Sequence, residues 1–281
     1  MHREQTGPVR SKESLERHYR VEKGLAERLK SASREERKKL YLEVYRELFE
    51  RVPDHPQLRE ENRDYDRALS RNKKIITRFL KPGQVFLEIG AGSCALSIFA
   101  SDIAEKVGSL DVTDSVIRGK KLPDNLRFSE TDGISIPLEE SSVDLAFSHQ
   151  LMEHLHPEDA EEQLRNIYRV LRPGGIYICI TPSRIYGPHD ISKYFDEQAR
   201  GLHLKEYAYS DLKELFRKAG FKKTFAFIPL GGKFFRWPLR LIRFWERLLI
   251  EKPRKSRMKI ACFAPVKLML GGSNIRIAGE K

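Results

Sequence analysis

The sequence predicts an α/β fold: a parallel sheet with helices on its faces, preceded by a helical extension. Three observations carry this expectation. From Gly83 onward, short apolar runs alternate with amphipathic stretches, the pattern of strands joined by right-handed helical crossovers. The first run, "VFLEI", breaks directly into Gly90-Ala91-Gly92, as a ligand-binding strand-to-helix turn does. Asp111 ends the next run, 19 residues after Gly92, where an acidic residue can meet a nucleoside's ribose.

The elements follow in order. Residues 11–51 read as helix with a break near "KSASREE", where Ser33 and Glu36 fit a capping box. Leu40, Tyr41, Val44, Tyr45, Leu48, Phe49 and Val52 then recur at helical spacing. The two prolines of "VPDHPQ" end that helix. A further helix is expected over 62–80, stopping at Lys81-Pro82-Gly83. Strands are expected over 85–89, 107–112, 126–129, 143–148, 175–180 and 221–228, with 273–278 the last; the late pair would form an antiparallel edge. Helices are expected over 95–104, 157–171 and 210–219, the last capped by Ser210 with Gly220 at its C′ position. This divides the chain into an extension (1–81), a core (82–231) and a basic closing segment with the final strand (232–281).

The chain has 281 residues, 33% of them charged and 40% hydrophobic, a composition that fits a globular domain and excludes a disordered one. No apolar run approaches the roughly 18 residues of a membrane span. Cys94, Cys179 and Cys262 are widely spaced and suggest neither a disulfide framework nor a zinc motif. The first residues hold no apolar h-region, and a cytoplasmic location is expected, with attachment at the periphery of a membrane left open. The net charge of +12 is uneven: residues 1–81 carry +7, residues 82–182 carry −8 and residues 183–281 carry +13. An acidic centre suits a cationic or neutral ligand, and basic flanks suit something anionic.

Two ligand classes fit the glycine turn. One is a dinucleotide, with its pyrophosphate on the helix N-terminus. The other is a nucleoside without phosphate. Glu88, two residues before Gly90, discriminates, because it would repel pyrophosphate and attract an ammonium or sulfonium. S-Adenosylmethionine carries both cations and no phosphate. Asp111 could then accept both ribose hydroxyls. Asp132, in "SETDGISIP", could take the adenine amino group, leaving Gly133 for close packing against the ring.

The stretches "VFLEIGAGSCALS", "LDVTD", "TDGISIPLEESSVDLAFSHQLMEHL" and "IYRVLRPGGIYICITPS" resemble class I S-adenosylmethionine-dependent methyltransferases. Among these they are similar to the type 11 group that contains the ubiquinone and menaquinone biosynthesis enzymes. The resemblance covers roughly residues 82–228. It implies a Rossmann-like seven-stranded methyltransferase sheet with a reversed last strand. It also implies cofactor contacts from Glu88, Gly90, Gly92, Asp111, Asp132 and the chain at His149 and Gln150.

The methyl acceptor is expected beyond the carboxyl ends of the strands. The fourth strand ends at "SHQLMEHLH" and the fifth at "TPSRIYGPHDISKYF", which bring His149, His154, His156, Tyr186, His189, Asp190 and Tyr194 to one mouth. Methyl transfer needs alignment and sometimes proton removal, for which His154 and His189 are the candidate bases. Some magnesium-using members of the superfamily carry Glu-x-x-Glu-His at the fourth strand. Here Gln150 replaces the first carboxylate, ahead of Glu153 and His154, and no metal is expected.

The closing segment "FFRWPLRLIRFWERLLIEKPRKSRMK" spaces Arg236, Arg240, Arg243 and Arg247 as one helical stripe, with regular helix expected to start at Pro238, and Leu241, Phe244, Trp245, Leu248 and Leu249 on the other side. A basic amphipathic helix near 236–250 suits an anionic membrane surface or a helix packed on its own domain. The expected function is methyl transfer from S-adenosylmethionine to a small molecule or a lipid- or glycan-linked metabolite. The alternatives are an RNA methyltransferase, which would use the basic flanks on phosphate, and a non-catalytic S-adenosylmethionine-binding protein. No RNA-binding module is recognisable, and DNA is not expected.

Overall fold

The computed structural model describes residues 10–58, 63–115, 117–230 and 233–281. The first nine residues of the extension, residue 62 at the expected start of its last helix, and the boundary at 231 lie outside these. Eight strands form one sheet: β1 (Val85–Ile89), β2 (Lys106–Asp111), β3 (Leu126–Glu130), β4 (Val143–His149), β5 (Leu171–Pro182), β6 (Lys223–Leu230), β7 (Lys233–Trp237) and β8 (Asn274–Glu280), in the order β3-β2-β1-β4-β5-β8-β6-β7. Strands β1 to β5 pair in parallel. The strand order reverses at β1 and β4, so their carboxyl ends frame the crevice where such folds bind ligands.

The seven-stranded core is present, with two differences from the sequence-based expectation. The final strand β8 lies inside the sheet, antiparallel to both β5 and β6. Its position between neighbours explains why Ile275, Ile277 and Ala278 are all buried. A Cβ on Gly279 would fall 2.6 Å from the rings of Phe216 and Phe221, so only glycine lets the covering helix pack there. The edge is instead β7, an eighth strand antiparallel to β6, formed by a run too short to stand out from the basic segment.

The helices before the sheet are α1 (Lys12–Ser31), α2 (Arg34–Arg51) and α3 (Arg63–Phe79). Ser33 and Glu36 form the expected reciprocal cap. Val21, Leu25, Tyr41, Val44, Leu48 and Val52 join one apolar cluster with Met152, Leu155 and Leu164 beyond β4. The helices that alternate with strands are α4 (Ala95–Ser101), α5 (Pro157–Val170) and α6 (Tyr209–Ala219). Arg37 of α2 makes a bidentate pair with Asp159 of α5 at 2.6 and 2.7 Å, and Tyr41 Oη donates to the same carboxylate.

Ser210 does not cap α6. The helix begins one residue earlier, with Ala208 at the N-cap position. Its free N–H groups are met by carboxylates: Asp211 accepts from Ala208 N, and Glu246 accepts from Tyr209 N and Ser210 N. Glu246 comes from α7 (Leu239–Leu249), which precedes α8 (Arg254–Ala261) and α9 (Ala264–Met269). A cap supplied by a distant helix has no local sequence signal.

The four-arginine stripe is broken. Arg236 lies in β7, stacked over Phe225 at 4.1 Å, because Pro238 is the N-cap of α7. On the helix, Arg240 and Arg247 are exposed and Arg243 is half-buried. The apolar residues also divide. Ile242 and Leu249 face the core, while Leu241, Phe244 and Leu248 stand 47, 57 and 48% exposed.

Candidate active site

The crevice at the carboxyl ends of β1 and β4 is an open cleft with about 480 Å³ of empty space, its mouth included. Glu88, Gly90, Gly92 and His149 line it, together with Ser93 and with Tyr65, Ala68, Leu69 and Asn72 of α3. The α3 wall was not legible as a site, because a tyrosine and an asparagine on an amphipathic helix carry no motif.

The glycine turn is held from below. Gly90 N and Ala91 N both donate to the Leu110 carbonyl. Gly90 adopts φ +73°, and a Cβ there would press on Leu151 at 3.3 Å, so the loop after β4 closes over it. Gly92 has φ +50°, a conformation that glycine enters most easily. Its N–H donates to Asp111 Oδ2 at 2.7 Å, and Val112 N donates to Asp111 Oδ1. Each oxygen keeps a lone pair that a diol could use. Burial pushes the Asp111 carboxyl up.

Glu88 is 7% exposed. Burial pushes its carboxyl up to about 8, against a hydrogen bond from Ser97 and with Asp111 nearby. A buried carboxyl at the wall of a cleft is neutral until a cation arrives. His149, at the end of β4, is driven down to about 4 by burial and by Arg276 and Arg71, so it is a neutral ring. Gln150 sits at φ +56°, a strained setting for a residue with a Cβ and one found at ligand sites.

Asp132 and Gly133 are engaged within the protein itself. Asp132 Oδ1 accepts from Ile134 N and Ser135 N, and Oδ2 from Ser135 Oγ. Although partial burial opposes it, these bonds hold the carboxyl below its usual value. The residue caps its own turn. A Cβ on Gly133 would meet Val112 at 3.2 Å and Tyr41 at 3.7 Å, so protein side chains occupy the space read as room for a ring.

The two candidate bases are half-buried and lie outside the glycine cleft. His189 Nε2 is 2.9 Å from the Ser183 carbonyl, to which it donates, and its backbone N–H is held by Glu206. His154 Nδ1 is 3.1 Å from the Leu202 carbonyl. A carbonyl only accepts, so Nδ1 carries the proton and Nε2 keeps its lone pair. Burial drives His154 down to about 3. Its ring packs against Tyr45 and His203. Tyr45 stands among Glu22, Glu153 and Asp111, and burial first, then these carboxylates, push its hydroxyl well above its usual value. Tyr186 and Asp190 are held in the protein's own hydrogen bonds, to the Ala261 carbonyl and from Ser192 N and Gly201 N.

Comparison with known proteins agrees with this fold. Residues 87–179 match the family described as "Methyltransferase domain". The chain is 30% identical over 143 residues to a probable S-adenosylmethionine-dependent methyltransferase of Mycolicibacterium smegmatis, covering 50% of this chain and 52% of that one. It is 32% identical over 130 residues to the ubiquinone/menaquinone biosynthesis C-methyltransferase UbiE of Brucella abortus, covering 42% and 46%. The chain thus spans about half the length of these relatives. A SAM-dependent methyltransferase from Archaeoglobus fulgidus superposes with a TM-score of 0.50 at 17% identity, over 76% of this chain and 94% of that one, a likeness of fold. Residues 87–179 thus match a methyltransferase domain, and the chain around them is similar to S-adenosylmethionine-dependent methyltransferases.

Proposed function

We propose that this protein binds S-adenosylmethionine in the cleft between β1, β4 and α3 and transfers its methyl group to a small-molecule acceptor. The observation that carries this reading is Glu88, a buried carboxyl at the wall of a glycine-turn cleft. The cofactor's methionine ammonium would meet and ionise it, an ion pair that a pyrophosphate cannot form. Asp111 receives the ribose hydroxyls while it holds the turn through Gly92. Gly90 and Gly92 allow close approach of backbone, and His149 and Gln150 border the transferred methyl. Asp132 has the weaker geometric case for the adenine, since its turn already uses Oδ1 twice and only Oδ2 keeps a lone pair.

Methyl transfer is an in-line displacement, and the residues serve it by alignment and by excluding water. Between the two candidate bases, His154 is the one whose Nε2 lone pair is left open; His189 spends Nε2 on a carbonyl. The extension, residues 1–81, acts as a cover through α3 on the cofactor cleft and through Tyr41 and Tyr45 of α2 on the acceptor side.

A second observation favours a lipid-linked acceptor met at an anionic membrane surface. Leu241, Phe244 and Leu248 form an exposed apolar stripe on α7, flanked by exposed Arg240 and Arg247. An interfacial helix has this arrangement. Among the described residues, no helix is long and apolar enough to cross a membrane, so such contact would be peripheral.

The test is calorimetric titration with S-adenosylmethionine, its demethylated product and NAD, followed by turnover assays. Binding of the first two without NAD supports the cofactor assignment, and tight NAD binding overturns it. Release of the demethylated product with an acceptor present separates an enzyme from a sensor. Salt-dependent RNA binding would favour the RNA alternative.

A further inference from the structure

We propose that Glu153, His154 and His203 form a binding site for a divalent transition metal ion. One ligating atom from each residue lies within 4.8 Å of the others. Around a tetrahedral zinc ion, nitrogen and oxygen ligands at about 2.0–2.1 Å stand roughly 3.3 Å apart, so a modest closing movement completes the site.

The remaining atoms of the three side chains are already arranged for this. His154 Nδ1–H donates to the Leu202 carbonyl at 3.1 Å. His203 Nδ1 is 2.9 Å from Glu206 Oε1, to which it donates. Glu153 Oε2 accepts from Thr181 Oγ1 at 2.8 Å. Each ring therefore turns its Nε2 away from its supporting partner, and such outer partners fix the tautomer of metal-bound histidines. The second Glu153 oxygen, Oε1, is fully buried and has no hydrogen-bond partner. A buried carboxylate oxygen without a partner is costly, and a cation would satisfy it. Two imidazoles and one carboxylate match zinc, iron(II) or cobalt(II) better than magnesium or calcium, and leave coordination positions open. A cleft lined by His203, Glu206, Lys205 and Arg257 opens beside the site and gives access to it.

The other cluster of this type lacks these features. In His18, Glu22 and His55, Arg10 Nη1 points at His18 Nδ1 and the Gln57 N–H at His55 Nδ1. Both rings must then carry their proton on Nε2 and direct it toward Glu22, so neither Nε2 is a ligand.

A proton competes with the metal. Although burial opposes it, Glu206 and then Glu153 raise His203 to about 9, and an imidazolium between two carboxylates would need no ion. Titration of chelator-treated, full-length wild-type protein with cobalt(II), followed by visible absorption and calorimetry, decides between them. The expected result is one equivalent bound, with d–d bands, lost in His203→Gln and Glu153→Gln and kept in His18→Gln. Glu206→Gln should weaken binding about 10–100-fold. Circular dichroism confirms that each variant is folded. Failure of folded wild-type protein to bind cobalt(II) or zinc(II) would overturn the proposal, as would binding unaffected by both His203→Gln and Glu153→Gln. The readout is metal binding alone; an ion on His154 Nε2 would take the lone pair assigned above to the base, so binding would remove His154 as the base while leaving cofactor binding and methyl transfer to their own test.

Discussion

Asp111 Oδ2 accepts a hydrogen bond from the Gly92 N–H at 2.7 Å, so the carboxylate that ends β2 is tied to the glycine turn after β1. One side chain shapes the turn and, in the proposed function, would also meet the ribose. Asp111→Ala should weaken S-adenosylmethionine binding by about 1.5–3 kcal/mol, the range for a charged hydrogen bond. Asp111→Asn keeps an acceptor for Gly92 and should lose less. Calorimetric affinities of the two variants check this, and unchanged affinity in both removes Asp111 from the site.

The Arg37–Asp159 pair anchors the extension. Their side chains are 3% and 0% exposed. Arg37→Ala leaves a buried carboxylate without its partner and should cost about 3–5 kcal/mol. Replacing both residues with apolar side chains should recover much of that loss. Urea unfolding of the single and double variants measures it; a single variant as stable as wild type would contradict the burial argument.

The exposed stripe of α7 makes its own prediction. Arg240→Glu with Arg247→Glu should abolish binding to anionic vesicles, since each basic residue near such a surface contributes about 1 kcal/mol. Phe244→Ser should weaken binding even at low salt. Wild-type protein that stays in the supernatant with anionic vesicles at low salt would leave the stripe without this role.

The pH dependence follows from Glu88. Its folded-state carboxyl, at about 8, lies above the unfolded value of about 4.3. Between these values the folded protein holds a proton that the unfolded chain has released. The contribution of Glu88 to stability is therefore greatest below about pH 4.3 and declines as pH rises to about 8. Denaturation midpoints across that window should decline more steeply for wild type than for Glu88→Gln. Binding of the ammonium ionises Glu88, so cofactor binding near pH 6.5 should release a proton in wild type and not in Glu88→Gln. Calorimetry in buffers of different ionisation enthalpy reads that proton directly.

The parallel half of the sheet and the glycine turn were legible because period, glycine and acidic residues coincide locally. Glu88 and Asp111 stand at strand ends that the sequence pattern marks. What was not legible comes from distant contacts. The N–H groups at the start of α6 are met by Glu246, 37 residues from Tyr209. β8 enters the sheet between strands that precede it. His203 reaches His154 across 49 positions, in a loop with no periodicity. Asp132 is ambiguous in sequence, since a turn that satisfies its own aspartate and a ligand contact carry the same signal.

The central claim is that Glu88 reads the positive charge of the cofactor's methionine end. The most direct test is calorimetric titration of wild type and Glu88→Gln with S-adenosylmethionine and with adenosine, near pH 7.5. Adenosine keeps the ribose and adenine and lacks the ammonium. The account predicts roughly tenfold or greater loss of S-adenosylmethionine affinity in the variant, about 1.4 kcal/mol, with adenosine affinity nearly unchanged. An equal loss for both ligands would mean that Glu88 only supports the turn, and would contradict the account.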